Sequence, residues 1–424
     1  MRRHVLLLLL IVSLLMGACG AKTPAATGDG QATRTPKPTF TPASGSESSE
    51  PTSAKSATPA GPTVAPTVTP TIPVPVAKGL RMNSPEYGMQ IFPWWRPEVG
   101  SRDIQAVQAA GFTWAKVNFG WRDIEGAGKG VFDWSHTDQI IEMANHDGVD
   151  LVIRIDHQPE WAGGGYPTNG PPDDYQDLAD FFTAVATRYK GRIRAYEVWN
   201  EPNLAREWGG QTPDPGNYAE LLKMCYSAIK AADPNAMVIS AGLSPTGSWT
   251  EGPEGARPDS WYLESLYIAM GNSDGHFDVL GAHGAGFISP PERDPAEVAA
   301  NEAYGGDRSM CFRHVEDLRE IMVKYGDQDK QIALLEFGWT SDPRPESPYN
   351  WHAVSEETKA DYLVRAYQYA KENWSPWIGL MSLIYICDPD WTPDNEQYWW
   401  AITDPGYPEL KPRPAYTALK NMPK

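Results

Sequence analysis

Cysteine is scarce in this chain, basic residues are outnumbered, and no apolar run is long enough to cross a membrane. Four cysteines in 424 residues exclude a disulfide-stapled miniprotein. Lysine and arginine total 36 against 54 acidic residues, a formal net charge of −18. That deficit excludes a nucleic-acid binder and an anionic membrane surface, since both need clustered cations. It weighs less against an acidic polysaccharide, because a local basic cleft survives a negative global charge. The longest apolar run, Val5 to Leu15, is broken only by Ser13. It is too short to span a bilayer, so a multi-span membrane protein is excluded. Residues 20–77 hold no Tyr, Trp, Leu or Met, and Phe40 is their only aromatic, whereas all 17 tryptophans follow residue 93. Core-forming side chains are therefore confined to residues 78–424, the length of one large α/β barrel.

What is present at the N-terminus reads as an address. Arg2 and Arg3 precede the apolar run, which ends Leu15-Met16-Gly17-Ala18-Cys19. This order fits a signal peptide over residues 1–18. Small residues before Cys19 resemble a bacterial lipobox, with Met16 where Leu is usual, so Cys19 is the expected lipid anchor. Ordinary cleavage and release is the alternative. Either reading gives an exported protein, secreted or held at the cell surface, touching membrane only through the anchor. Residues 19–77 repeat Thr-Pro pairs at Thr35-Pro36, Thr41-Pro42, Thr58-Pro59 and Thr69-Pro70. Such a tract buries too little apolar surface to offset chain entropy and is expected to act as an extended tether. Cys225, Cys311 and Cys387 remain. An odd number allows one disulfide at most, and their spacing matches no metal motif, so buried thiols are expected.

From residue 86 apolar β-branched runs alternate with amphipathic stretches. The expected strands are 87–91, 112–119, 150–156, 193–200, 237–241, 277–283, 331–337 and 378–386. Helical spacing marks 104–110, 140–145, 178–189, 218–231 and 360–371. Eight β-α units predict a (β/α)8 TIM barrel; a doubly wound open sheet would need a Gly-rich phosphate loop after its first strand. Helix-to-strand links are short and strand-to-helix links long, which places a site at the C-terminal ends of the strands. Trp161, Trp208, Trp249, Trp339, Trp351, Trp391, Trp399 and Trp400 fall in those long loops. They read as a platform for flat apolar ligand faces such as sugar rings. Trp114, Trp134, Trp374 and Trp377 read as packing.

Glu201 closes the fourth strand and Glu336 the seventh, so both are expected to face one bowl. Cleaving a glycosidic bond needs a proton donor for the leaving oxygen and a second carboxylate at the oxocarbenium-like centre. Trp199-Asn200-Glu201-Pro202-Asn203 and Glu336-Phe337-Gly338-Trp339 resemble the clan A glycoside hydrolases, over residues 84–420. Trp121-Arg122-Asp123-Ile124-Glu125, Phe132-Asp133-Trp134 and Pro159-Glu160-Trp161-Ala162 look most like family 39, with the cellulase-like family 5 as second match. The resemblance implies Glu201 as acid/base, Glu336 as nucleophile of a retaining mechanism, and Asn200 as the ligand of the 2-hydroxyl. Retention requires carboxyl groups about 5–5.5 Å apart, a raised pKa at Glu201 and an ionised Glu336.

The chain departs from that pattern at three places. Gly284-Ala285-Gly286 follows His283 where a tyrosine is common, leaving Tyr385 as a stand-in. Lys116 occupies the usual position of an arginine. Strand eight lacks its sugar-stacking tryptophan, for which Trp391 substitutes. His157, Trp161, His283, Trp339, Trp121 and Asn118 complete the expected sugar contacts, while Arg154 and Glu197 are expected to pair inside the barrel. His157, Asp156 and His283 lack metal-ligand spacing, so no metal and no cofactor is expected. The partner is a carbohydrate and the chain a monomer. The rival reading is a non-catalytic carbohydrate-binding surface protein on a degenerate barrel; a metal-dependent barrel hydrolase, distinguished by sensitivity to chelators, is a third.

Overall fold

Alternation along eight strands decides what fills the centre of this protein. The structure, a computed structural model, describes residues 79–94 and 96–424; the expected signal peptide, Cys19 and the tether lie outside the described residues. The strands are β1 (Glu86–Gln90), β2 (Trp114–Gly120), β3 (Asp150–Asp156), β4 (Ala195–Val198), β5 (Met237–Ser240), β6 (Val279–Ala285), β7 (Gln331–Gly338) and β8 (Ile378–Leu383). They pair in parallel and in order, and β8 closes on β1. Each is followed by a long helix: α1 (Pro97–Ala109), α2 (Ser135–His146), α3 (Tyr175–Arg188), α4 (Pro215–Ala232), α5 (Asp259–Met270), α6 (Val315–Lys324), α7 (Glu356–Asn373) and α8 (Pro414–Asn421). The chain is a (β/α)8 barrel, as its sequence predicts. Helix starts are set locally: Asp174 and Asp214 accept backbone N–H groups of the first turns of α3 and α4, and Ser355 does so for α7.

Side chains two apart on a strand share a face. Trp114, Val152, Ala195, Met237, Val279, Ala333 and Leu380 point inward and form an apolar plug. One step toward the C-terminal ends, the same strands present Lys116, Arg154 and Glu197, all fully buried. The plug closes the barrel below these charges, and the strand-to-helix loops close it above. The other strand face packs against the helices through Ile153, Val198, Phe181, Leu222 and Tyr367. Cys225, Cys311 and Cys387 are buried free thiols.

The expected tryptophan platform is corrected. Of those eight tryptophans, Trp208, Trp339 and Trp400 are buried, and only Trp249, 52% exposed, stands well out in solvent. Trp249 meets Trp261 edge-on at 4.6 Å and carries Arg257 over its ring. A loop position does not imply an exposed ring, because these loops fold back onto one another. Trp114 and Trp374 are buried, as expected of packing residues.

Candidate active site

Five strand ends bring two adjoining groups of polar side chains together. The Lys116 Nζ, from β2, donates to Glu336 Oε1 at 2.8 Å and lies 3.1 Å from Glu197 Oε2. From β3, Arg154 Nη1 donates to Glu336 Oε1 at 3.1 Å and to Asn200 Oδ1 at 3.0 Å. Its Nε lies 3.0 Å from Asp156 Oδ2, and Asp156 in turn pairs with His157. Glu201 Oε1 meets His283 Nδ1 at 2.9 Å, and Glu201 Oε2 stands 4.0 Å from Arg206 Nη2. His283 is in register with Glu336 across β6 and β7, where a bulge shifts the pairing by one residue.

The backbone is bent to make this arrangement. His157, Trp199, Glu201 and Phe287 are non-glycine residues at φ of 60°, 73°, 40° and 52°, each following a strand of the bowl. L-residues enter this region at a cost of order 1–3 kcal/mol, so the surrounding contacts must hold them there. Several do. Trp199 Nε1 donates to Glu207 O at 2.8 Å, and Glu201 N donates to Gly242 O at 3.1 Å. Asn203 Nδ2 donates to Ser244 O and Arg257 O while Ser244 N donates back to Asn203 Oδ1, stapling the β4 loop to the β5 loop. Below them the Tyr218 hydroxyl, on α4, donates to Val198 O and accepts from Ala241 N. Gly242 is required by its neighbour: a Cβ there would sit 2.2 Å from His283 Cδ2.

The two carboxyls are driven to opposite states. Burial pushes Glu201 well above the ordinary glutamate value, opposed by Arg206 and reinforced by Glu336 and Glu207. Glu336 is as deeply placed, and burial alone would raise it, but Lys116 and Arg154 hold it down to about 2. His283 is lowered to about 3 by burial and is neutral at neutral pH. Its contact with protonated Glu201 is therefore a neutral hydrogen bond rather than an ion pair. Asp156 is held low against its burial by His157 and Arg154, and His157 is raised in return by Asp156. One site thus contains a carboxyl group that keeps its proton and a carboxylate that does not.

Of the residues expected from sequence, Glu201, Glu336, Asn200, His157 and His283 belong to these two groups. Asn118 lies close enough to Asp156 to help hold its carboxyl low. Tyr385 lies near enough for Glu336 to add to the upward shift that burial imposes on its phenol. It packs with Phe92 and the half-buried Trp391 in an aromatic trio. Trp161 is half-buried, with Nε1 tied to Glu125 O. Two expectations are corrected. Trp121 stacks on Phe181, meets Trp161 edge-on, and donates to Glu125, which leaves no ring face for a ligand. Trp339 is enclosed by Phe312 and Tyr362 and donates to Ser289 O. A Cβ at Gly286 would fall 1.9 Å from that indole, so the ring occupies the ground where a larger side chain would stand after His283.

Glu197 pairs inside the barrel as expected, and Arg154 does more, bridging Glu336, Asn200 and Asp156. Sequence reasoning passed over Arg206, Glu207 and Glu396. Arg206 and Glu207 follow Glu201 in one strand-end loop, which was the available signal; Glu396 arrives from the far end of the chain. Among the described residues no group of three or more His, Cys, Asp or Glu side chains is placed to hold a metal ion.

Comparison with known proteins places similarity in one region of fold space. Residues 77–265 match the family model for cellulase (glycosyl hydrolase family 5). A β-xylosidase from Caldicellulosiruptor saccharolyticus is 24% identical over 234 residues, covering 52% of this chain and 43% of that relative. The chain thus spans under half the length of that relative. Among solved structures, a family 39 glycoside hydrolase from the gut symbiont Bacteroides cellulosilyticus WH2 superposes with a TM-score of 0.56 at 19% identity, covering 80% of this chain and 63% of that one. A monomeric β-xylosidase from Caulobacter crescentus CB15 does so with a TM-score of 0.56 at 18% identity, covering 80% and 69%. The chain is similar to clan A glycoside hydrolases, and the structural likenesses establish the shared barrel.

Proposed function

We propose that this protein is a retaining β-glycosidase in which Glu201 is the acid/base and Glu336 the nucleophile. The observation that carries the reading is the unequal bonding of two buried carboxyls near the strand ends, Glu336 held by Lys116 and Arg154 and Glu201 by His283, which favours opposite protonation states. Glu336, anionic and gripped by Lys116 and Arg154 on Oε1 alone, keeps Oε2 for attack at the anomeric carbon. Glu201 delivers its proton to the departing oxygen, then as a carboxylate activates the water that releases the glycosyl-enzyme. Asn200, oriented by Arg154, is placed to bind the 2-hydroxyl of the cleaved sugar. Similarity to β-xylosidases and a cellulase family model supports β-linked saccharides as the substrate class. Three of the eight loop tryptophans are core residues, which leaves less of an extended cleft than internal chain cleavage would use.

The test is to incubate the protein with β-glucans, xylans, mannans and bacterial exopolysaccharides, reading released reducing ends and, by proton NMR, the anomer first formed. A β-anomer from a β-bond is expected; an α-anomer would overturn the double displacement. Binding without turnover would return the chain to the non-catalytic reading.

The pH profile follows from the same asymmetry. Activity needs Glu336 ionised, which holds above about pH 2, and Glu201 protonated, which holds below its raised pKa. The acid limb of kcat/KM should therefore lie below the ordinary carboxylate range, and the alkaline limb above it. Glu201→Gln should erase the alkaline limb alone. An alkaline limb that persists in that variant belongs to some other group.

Gly242→Ala offers a check on His283. The new methyl must displace the imidazole, and with it the hydrogen bond that aims Glu201. A loss of about 10²-fold in kcat is expected from a shift near 1 Å, with little change in KM. An unchanged kcat would show that His283 does not orient the acid.

A further inference from the structure

Beside Glu201 lies a cation that neither the fold nor the proposed chemistry uses. Arg206 sits on the short turn Ala205–Glu207 that follows β4. Its Nε and Nη2 are both shielded from solvent and lack hydrogen-bond partners. Those two nitrogens form one edge of the planar guanidinium, the edge that meets both oxygens of a carboxylate with parallel N–H groups. Among the described residues, five other arginines close this same edge on a carboxylate, as Arg188 does on Asp138, Arg308 on Asp317 and Arg365 on Glu292. In Arg206 it has no hydrogen-bond partner.

The neighbouring carboxyls do not fill it. Glu201 is 4.0 Å away, beyond hydrogen-bond reach, and burial favours its neutral form. Glu207 Oε2 accepts from Asn169 Nδ2 at 2.5 Å. Glu396 is pushed up to about 7 by burial and hydrogen-bonds to Tyr349. A guanidinium with a buried edge and no hydrogen-bonded anion is costly unless a ligand supplies the anion. Position says which part of the ligand. Glu201 Oε1 is taken by His283, whereas Oε2 has no hydrogen-bond partner and is the oxygen beside Arg206. Oε2 is then the atom that passes its proton to the leaving oxygen, and Arg206 flanks the sugar that departs.

We propose that Arg206 binds the carboxylate of a uronic acid on the leaving-group side of the cleaved bond, so that the substrates are acidic saccharides. This rests on Glu201 being the proton donor. The excess of acid over base across the chain does not oppose it, because the recognition is a local, directional pair in a buried site rather than a long-range field.

The experiment separates this inference from the hydrolase reading by measuring binding as well as turnover. Glucuronic-acid-substituted xylo-oligosaccharides, oligogalacturonides and oligomannuronides are each paired with their carboxyl-reduced counterparts. Calorimetric Kd and kcat/KM are measured for the full protein, Arg206→Gln and Arg206→Lys, after circular dichroism has shown each variant folded. For the wild type, carboxyl reduction of at least one substrate should weaken binding about 10- to 100-fold. In Arg206→Gln that preference should fall to within about threefold, and Arg206→Lys should restore part of it. If Arg206→Gln fails to fold, Arg206→Lys carries the same comparison through a partial loss of preference. A preference for the acid that is lost in Arg206→Gln without any turnover supports carboxylate binding at Arg206 while sinking the hydrolase reading and, with it, the leaving-group placement. Equal Kd for every acid and its reduced partner overturns the inference alone, as does a preference that survives intact in Arg206→Gln.

Discussion

Glu336→Gln should lose at least about 10⁴-fold in kcat on every substrate, whatever its leaving group, while Glu201→Gln should lose activity only where the leaving group needs a proton. The contrast follows from the division of labour. Without the Glu336 carboxylate there is nothing to form the glycosyl-enzyme, and removal of a covalent nucleophile costs on the order of 10⁴ to 10⁶. General-acid help contributes about 10² to 10⁴, and a dinitrophenyl glycoside, whose leaving group departs unprotonated, makes no use of it in the first step. Glu201→Gln on that substrate should show a burst of dinitrophenolate followed by slow turnover, since the second step still lacks its base. Stopped-flow absorbance measures both phases. Equal losses in the two variants on the activated substrate would overturn the assignment of roles, and a burst in Glu336→Gln instead would exchange them.

Lys116→Met should be the most damaging single substitution to stability among the network residues. Its ammonium touches Glu336 and Glu197 together, with all three side chains buried. Removing one cation leaves two buried carboxylates short of compensation, and breaking such a pair costs about 3–5 kcal/mol. For a domain of this size that lowers Tm by roughly 4–7 °C. The effect has a signed pH dependence. In the wild type the depressed pKa of Glu336 contributes stability above the ordinary glutamate value, lost as pH falls toward about 2. In Lys116→Met that contribution shrinks and protonation relieves the unpaired charge, so the stability gap should narrow as pH falls from 7 toward 4. Lys116→Arg should keep most of the stability, and Lys116→Met/Glu197→Gln should regain part of it without regaining turnover. Scanning calorimetry at the two pH values decides the matter; a gap independent of pH would mean the lysine acts through packing alone.

The sequence determined the barrel, and the reason is local. Period-two and period-3.6 apolar patterns, short helix-to-strand links and helix caps act over a few residues, so eight β-α units can be read one at a time. Glu201 and Glu336 were legible for the same reason: each lies within three residues of a strand's C-terminal end, and strand ends of a barrel share one bowl. Trp339 and Trp121 were misread because exposure is a tertiary quantity. Trp339 is buried by Phe312 and Tyr362 from other elements and lies against Gly286, just past the end of β6. The protonation states also waited for the fold. Glu201 and Glu336 are the same residue type, and their difference arises because Lys116 and Arg154 bond one while burial beside a neutral His283 governs the other. Arg206 was visible five residues after Glu201, yet only three-dimensional packing shows its Nε and Nη2 buried without a hydrogen-bond partner. Charge, burial and partnership depend on residues brought together from β2, β3, β4, β6 and β7, and no local stretch of sequence holds that information.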